Sequence, residues 1–354
     1  MKVLLMGEYS GFFSNLKNGL LELGIDCKLA SNCDDWKKID GADFPLINTN
    51  YGNIFKKIYN VVFEPIIHSK RFYGYDIVFL VNPTVFYKLI NFLMIRKIKR
   101  HTNRLLVSIA GDCTPVYDSY LMGELGYYIY DNNPDLCKKY KDKKYKMMER
   151  KVLDISDGII PIMYEYAVGV RERSNCLRTI PLPFNINSVR YTPNVVKNGK
   201  IVIAHGIIRE ECKGSSYIIK AMNIIKERHP DEVEIVIDGR MPLQDYLKWL
   251  NGANILIDQC KEHCYGMNAL FAMARGCIVL GGASASSLAE FGLNECPVVH
   301  IEPMINQIVD KLEWVISQKS NFEQMGKAAH DFVAEFHDYK KIAQMYLDEW
   351  EEIK

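Results

Sequence analysis

Two cations and two glycine turns in the second half of the chain have the types and spacing to hold a diphosphate. The short apolar strand 201–204 is followed by His205 and Gly206, then by Arg209, Lys213 and Gly214, then by an amphipathic helix over 215–228. Such a loop aims backbone N–H groups and the positive end of the helix dipole at whatever lies above it, which favours an anion. Arg209 can fork two phosphate oxygens, and Lys213 supplies a movable point charge. Further on, 258–282 reads DQCKEHCYGMNALFAMARGCIVLGG. Here Glu262, His263, Tyr265, Gly266, Met267 and Asn268 form a polar turn into the small-residue helix 269–275, which Gly276 stops before a buried strand at 277–280. The backbone at 266–268 completes a phosphate seat. An ordinary βαβ unit and a solvated basic loop produce the same pattern, so short glycine motifs leave both readings open.

The elements around these residues alternate in type along the whole chain. Strands are expected at 3–6, 77–81, 105–109, 158–161, 201–204, 233–237, 255–257 and 277–280, and helices at 13–23, 54–69, 85–99, 215–228 and 242–250, with helix again from 321 and a weak point at Gly326. The polar stretch 34–53 carries no clear period. This alternation predicts an α/β protein of two doubly wound Rossmann-like domains facing across a cleft. Pro181 and Pro183 make a stiff extended crossing and set the boundary at residue 183. In the first domain, Gly7 and Gly11 shape a strand-to-helix loop without G-x-G-x-x-G, which argues against a dinucleotide. Asp112 follows the strand 105–109 at the edge where open α/β sheets take ligands, with Asp118 behind it, although a turn-capping Asp fits there equally. Asp238 and Gly239 end the strand 233–237 in the same way.

The run KGSSYIIKA from Lys213, together with DQC, YG and FAMARG between Asp258 and Gly276, resembles the C-terminal domain of retaining glycosyltransferases with two Rossmann-like domains, the GT-B architecture, of the family-four type. The resemblance implies an N-terminal acceptor domain at 1–183, a nucleotide-sugar donor domain at 184–337, and a terminal helix near 338–354 packing back on the first. It implies a hexosyltransferase whose co-substrate is a nucleotide-diphosphate sugar and whose acceptor is a lipid-linked or glycan intermediate of surface polysaccharide assembly, with retention and without cofactor or metal. The Arg and Lys that grip the donor diphosphate match Arg209 and Lys213, one residue closer together than in the commonest form. Asp112, Arg209, Lys213 and His263 take the catalytic places. Gly7, Gly11, His205, Gly206, Asp238, Gly239, Glu262, Tyr265, Gly266, Met267 and Asn268 take the donor-binding ones.

One departure stands out from that pattern. The family carries two Glu separated by seven residues, the first at the donor sugar and the second at the ribose; here the second place is Phe271, His263 lies eight residues before it, and Glu262 is one residue from the first place. Either other groups such as Asn268 and His263 hold the donor, or the donor differs, or catalysis has lapsed while Phe271 packs into the core. A sugar-nucleotide epimerase on the same fold and a non-catalytic sugar-nucleotide binder are the rival readings.

Composition bounds the rest. The 354 residues are 48% hydrophobic and 25% charged with a net charge of +1, a globular composition with room for two domains. The ten cysteines are scattered, which suits reduced thiols in a cytoplasmic protein, and Cys260, His263 and Cys264 lack the second pair a zinc site needs. A chain that opens directly in its first strand is expected to lack a leader, and no apolar run is long enough to be a membrane span. Up to Asn185 there are 26 Lys and Arg against 20 Asp and Glu, and beyond it 18 against 23. That asymmetry, with the basic run 138–151, predicts attraction to an anionic membrane surface, and the absence of a reader motif argues against nucleic acid.

Overall fold

The structure is a computed structural model that describes residues 1–34, 37–49 and 52–353. The chain divides into two compact units. One comprises Met1–Glu124, Asp135–Pro183 and Tyr339–Lys354, the other Leu125–Pro134 and Phe184–Asp338. The polar stretch 34–53 lies partly outside the described residues. No helix among the described residues is long and apolar enough to cross a membrane.

Each unit holds one five-stranded parallel sheet. The first contains β1 (Lys2–Met6), β2 (Asp26–Ala30), β3 (Ile77–Leu80), β4 (Arg104–Ile109) and β5 (Gly158–Pro161) in the order β2-β1-β3-β4-β5. The second contains β6 (Ile201–Gly206), β7 (Val233–Asp238), β8 (Ile255–Ile257), β9 (Ile278–Gly281) and β10 (Val299–His300) in the order β10-β9-β8-β6-β7. Read from its other edge, the second sheet is wound as the first, with its first strand between its second and third. The chain is therefore the expected α/β protein of two doubly wound domains. The apolar runs seen in the sequence are strands covered on both faces, as in β3, β5 and β9, where every residue is buried.

Departures from the sequence expectations have local causes. β2 carries charges at Asp26 and Lys28 on its exposed positions, so it gives no apolar run. The helix expected over 85–99 spans only Asn91–Lys99, because the buried Asn91 holds the preceding turn: its Oδ1 accepts from the N–H groups of Val85 and Phe86 at 3.0 and 2.9 Å, and its Nδ2 donates to the Pro83 carbonyl at 2.9 Å. The basic run is two helices, Pro134–Lys141 and Lys143–Ile155, and Asp142 caps the second by accepting from the Lys144 N–H at 2.9 Å. Within the first unit the terminal helix Tyr339–Glu352 packs on the helix Phe12–Glu22. Gly19 makes that approach possible, since a Cβ there would overlap the Tyr339 carbonyl. Tyr346 and Trp350 then reach Phe79 of β3 at ring separations of 5.5 and 5.8 Å.

Gly326 is a contact and not a weak point. It lies in the unbroken helix Phe322–Phe336, buried against the end of the helix Met267–Arg275, where a Cβ would overlap the Gly276 carbonyl oxygen and sit 2.9 Å from the Asn194 Cβ. Replacing Gly by Ala in an open helix gains up to about 1 kcal/mol. Here Gly326→Ala is expected to lower unfolding stability by about 1–3 kcal/mol through overpacking. Urea unfolding checks it, and a variant as stable as the parent would show that the helices move apart at no cost.

Candidate functional site

In a doubly wound sheet, ligands settle beyond the carboxyl ends of the strands where the winding reverses. In the second unit that point lies between β6 and β8, which are hydrogen-bonded neighbours although β7 separates them in sequence. His205 closes the gap from inside. Its side chain is fully buried, with Nδ1 2.7 Å from the Ile257 carbonyl and Nε2 2.8 Å from the Ser215 hydroxyl. A carbonyl can only accept, so Nδ1 carries the proton and Nε2 accepts from Ser215. Burial, and then the nearby Lys213 charge, push the His205 pKa down to about 4. The ring is a neutral tie between β6, β8 and the start of the helix Ser215–Arg228.

Lys213 ends the short helical turn Glu210–Lys213, and Gly214 follows with a φ of 73°. A side chain at Gly214 would be strained in that left-handed conformation and would meet the Cys260 sulfur at 2.5 Å. This tight passage buries Lys213 beside Asp258, the residue directly after β8. Lys213 Nζ lies 2.9 Å from Asp258 Oδ1, and the same oxygen accepts from Asn268 Nδ2 at 2.6 Å. Arg209, at the entry to the turn, is exposed.

Asn268 belongs to the helix Met267–Arg275, so its bond to Asp258 fixes that helix N-terminus beside the Lys213 pair. Gly266 is the N-cap, and no side chain of the described residues caps the helix. Its first N–H groups and its dipole therefore suit an anion. The first unit shows the opposite arrangement. Gly7 turns with a φ of 92° against Val81, and Gly11 starts the helix Phe12–Glu22 with a φ of 94°. The buried Glu8 carboxylate, however, accepts from the N–H groups of Gly11, Phe13 and Ser14 at 3.0, 3.3 and 2.7 Å. Burial raises the Glu8 pKa to about 7 against the pull of those donors. The sequence signal for Glu8 is an acid three residues before a glycine that opens an apolar helix.

The remaining candidates divide between two fates. Gly206 ends β6, and a Cβ on Gly239 would overlap the Ile207 carbonyl, so β6 and β7 finish in close contact. Asp238 is exposed and accepts from the Gly239 N–H at 2.7 Å, while the Met267 side chain is buried. His263 is also buried, and its Nε2 lies 2.7 and 3.1 Å from the Leu125 and Tyr127 carbonyls, with its ring stacked on Tyr127 at 4.5 Å. Lys261 Nζ donates to the Asp131 carbonyl at 2.7 Å. The loop 259–264 thus fastens the strap Leu125–Pro134, a partner too distant in sequence to be foreseen. The buried Glu262 accepts from Gln259, and the Tyr265 hydroxyl lies 3.0 Å from His337 Nε2. Phe271 is buried edge-on to Phe184 at 5.0 Å and 78°. Asp112 is half-buried beyond β4 in the first unit. Asp258, which the sequence reading left without a role, sits at the centre. None of the ten cysteines is in a disulfide, and no group of His, Cys, Asp and Glu among the described residues is arranged to hold a metal ion.

No protein-family model matches the chain, and no curated protein matches it. Solved structures do. The chain is similar to sucrose-phosphate synthase from Thermosynechococcus elongatus, with a TM-score of 0.64, 13% identity and 99% of each chain covered. It is similar to HepE from Anabaena in complex with UDP and glucose, with a TM-score of 0.62, 11% identity, and 99% of this chain and 100% of that one covered. The chain has the GT-B fold. A UDP-GlcNAc 2-epimerase from Neisseria meningitidis bound to UDP-GlcNAc matches as well, with a TM-score of 0.56, 12% identity, and 99% and 100% covered. At such identities the likeness establishes the fold and leaves the reaction to the site.

The His205 tie makes a pH prediction. Its folded pKa of about 4 lies below the ordinary value of 6.5, so between these values the unfolded chain binds the extra proton. Stability from this group is complete above pH 6.5 and is lost as pH falls toward 4. From about pH 7.5 to about pH 5, urea unfolding of the parent should lose roughly 2 kcal/mol more than that of His205→Gln. Parallel losses would mean that another group titrates. Phe271→Ala should cost about 3 kcal/mol in the same assay. A variant as stable as the parent would show that the ring is not part of the packed core.

Proposed function

We propose that this chain is a glycosyltransferase that takes a hexosyl group from a nucleotide-diphosphate sugar and passes it, with retention, to a glycan or lipid-linked acceptor in surface polysaccharide assembly. The observation that carries the reading is the helix N-terminus at Gly266, without a side-chain cap among the described residues, beside Lys213 and Asn268 at the winding reversal of the second sheet. As the bond from sugar to diphosphate breaks, negative charge grows on the leaving phosphate, and fixed donors already aimed at it lower the barrier without reorganising. The helix N–H groups and Arg209 supply that field. Lys213, held by Asp258, keeps two of its three ammonium donors for phosphate. No cofactor or metal enters this reading.

Epimerisation has the support of a neighbour on the same fold. It requires side chains at the sugar that take and return a proton. Here His205 is a buried neutral tie, His263 binds the strap and Glu262 is engaged by Gln259, which favours transfer. Incubation with labelled nucleotide sugars separates the readings: transfer appears only with an acceptor, isomerisation without one, and a binder yields neither.

The phosphate seat is tested by titrating UDP. Arg209 is exposed, so Arg209→Ala should fold as the parent does and bind UDP about 10 to 100-fold more weakly, as befits the loss of a charged hydrogen bond. Lys213→Ala should weaken binding too, and should also destabilise the unit by stranding Asp258. Parent-like UDP affinity in Arg209→Ala would remove the seat from this loop.

A further inference from the structure

The segment between β2 and β3 carries the largest run of exposed apolar side chains in the first unit. It is a continuous helical stretch of three pieces, an α-turn at Ile54–Ile58, a π-turn at Tyr59–Phe63 and an α-turn at Glu64–Ile67. Ile54, Phe55, Ile58, Tyr59, Phe63 and Ile67 are all exposed, Phe55 by 80%. The rings of Tyr59 and Phe63 stack at 6.5 Å. The wider i to i+5 turn also brings residues five apart, such as Ile58 and Phe63, toward one face, where an α-helix would part them. Asn60 and Pro65 are buried. The first turn, Ile54–Ile58, buries nothing. A helical turn without packing is marginal in water, so a surface that covers it accounts for its form.

The charge around the ridge says what that surface is. Between residues 44 and 75 the sequence has one acid, Glu64, against Lys56, Lys57, Lys70 and Arg71. Glu64 is consumed by a two-pronged pair with Arg71 at 2.7 and 3.1 Å. Lys56, Lys57 and Lys70 are exposed beside the apolar side chains. A second copy of this chain docked symmetrically on the ridge would oppose these lysines to themselves. An anionic bilayer takes both components, because the apolar side chains sink to the level of the acyl boundary while lysines reach the headgroups. The basic run 138–151 is less suited, since five of its eight cations are engaged within the unit and Met147 is its one large hydrophobic exposed among the described residues. Lys138 pairs with Asp135, Lys146 and Arg150 with Asp118, and Lys139 and Lys151 lie over Tyr140 and Phe92.

We infer that the ridge 54–67 is an in-plane docking surface for an anionic lipid bilayer. The inference is independent of the sugar-transfer reading, because it concerns a different face and a different ligand. Co-sedimentation of the full chain with phosphatidylglycerol–phosphatidylcholine vesicles tests it, against vesicles of phosphatidylcholine alone. The parent should prefer the anionic vesicles, and rising salt should weaken that preference. The double variant Phe55→Ser and Ile58→Ser, at exposed positions, should unfold as the parent does and partition about tenfold more weakly or less. The double variant Lys56→Glu and Lys57→Glu should lose the anionic preference. Undiminished binding of the Phe55 and Ile58 variant overturns the inference. So does a parent that ignores vesicles and instead forms a dimer, in sedimentation equilibrium, that the same variant abolishes. UDP titration of each variant, expected to match the parent, keeps the two readings apart.

Discussion

A buried ammonium must find a counter-charge, and the site in the second unit is organised by the one that Lys213 finds. Taking an unpaired charge out of water costs several kcal/mol, so Lys213 and Asp258 fix each other. Asp258 stands directly after β8, Lys213 at the end of the turn that follows β6, and Asn268 shares the same carboxylate oxygen from the first turn of the helix Met267–Arg275. Three elements distant in sequence thus meet at one oxygen atom. His205 adds a fourth tie underneath by bonding β8 and the next helix with its two nitrogens. The position of the helix N-terminus at Gly266 follows from this set. Backbone donors are thereby held in place at that helix start, and Arg209 is exposed at the entry to the turn before Lys213.

The two units repeat one winding, but their electrostatics differ at the place where the winding offers a ligand site. In the first, Glu8 occupies the N–H groups that open the helix Phe12–Glu22, and a phosphate would meet an acceptor there. In the second, the helical segments that follow the equivalent strand β6 start at Arg209 and Gly214 without a side-chain cap among the described residues, as does the helix Met267–Arg275 after β8. Equal topology therefore does not give equal helix starts. A single side chain, Glu8, fills that helix start in the first unit, and it does so through hydrogen bonds that a glycine pattern cannot display. Gly7 and Gly11 shape that loop without opening it to an anion.

What was legible in the sequence is what depends on local pattern. The apolar runs gave eight of the strands because parallel strands buried on both faces read as continuous hydrophobics. β2 escaped by alternating charge with burial, and β10 by its length of two residues. Arg209, Lys213, His205 and the turn at Gly266 were visible because loop residues between a strand and a helix have few other reasons to combine charge with glycine. Contacts across long separations were not legible. Asn91 shortens a helix by bonding backward to the turn before it, and Gly326 reads as a flaw until Gly276 is seen against it. Asp258 follows a strand with no local sign of its role, since that role comes from residues 45 positions before it and 10 after.

The strap Leu125–Pro134 was the least legible part, and it changes the meaning of the departure at residue 263. By resemblance a carboxylate is expected there, close to the donor sugar, and its absence leaves open other donor contacts, a different donor or lost catalysis. The structure gives position 263 a different partner. His263 Nε2 faces two carbonyl oxygens, those of Leu125 and Tyr127, while Lys261 donates to a third carbonyl, that of Asp131. A carboxylate in place of His263 would set its oxygens against carbonyl oxygens with no proton between them, leaving buried acceptors unsatisfied. The histidine and the strap therefore form a matched pair, and neither is compatible with the other's replacement. Phe271 belongs to the same rearrangement, because its edge-on contact with Phe184 fills with hydrocarbon a place where a charge would be stranded. The two departures thus stand where the structure has a fastened strap and a packed ring in place of two carboxylates.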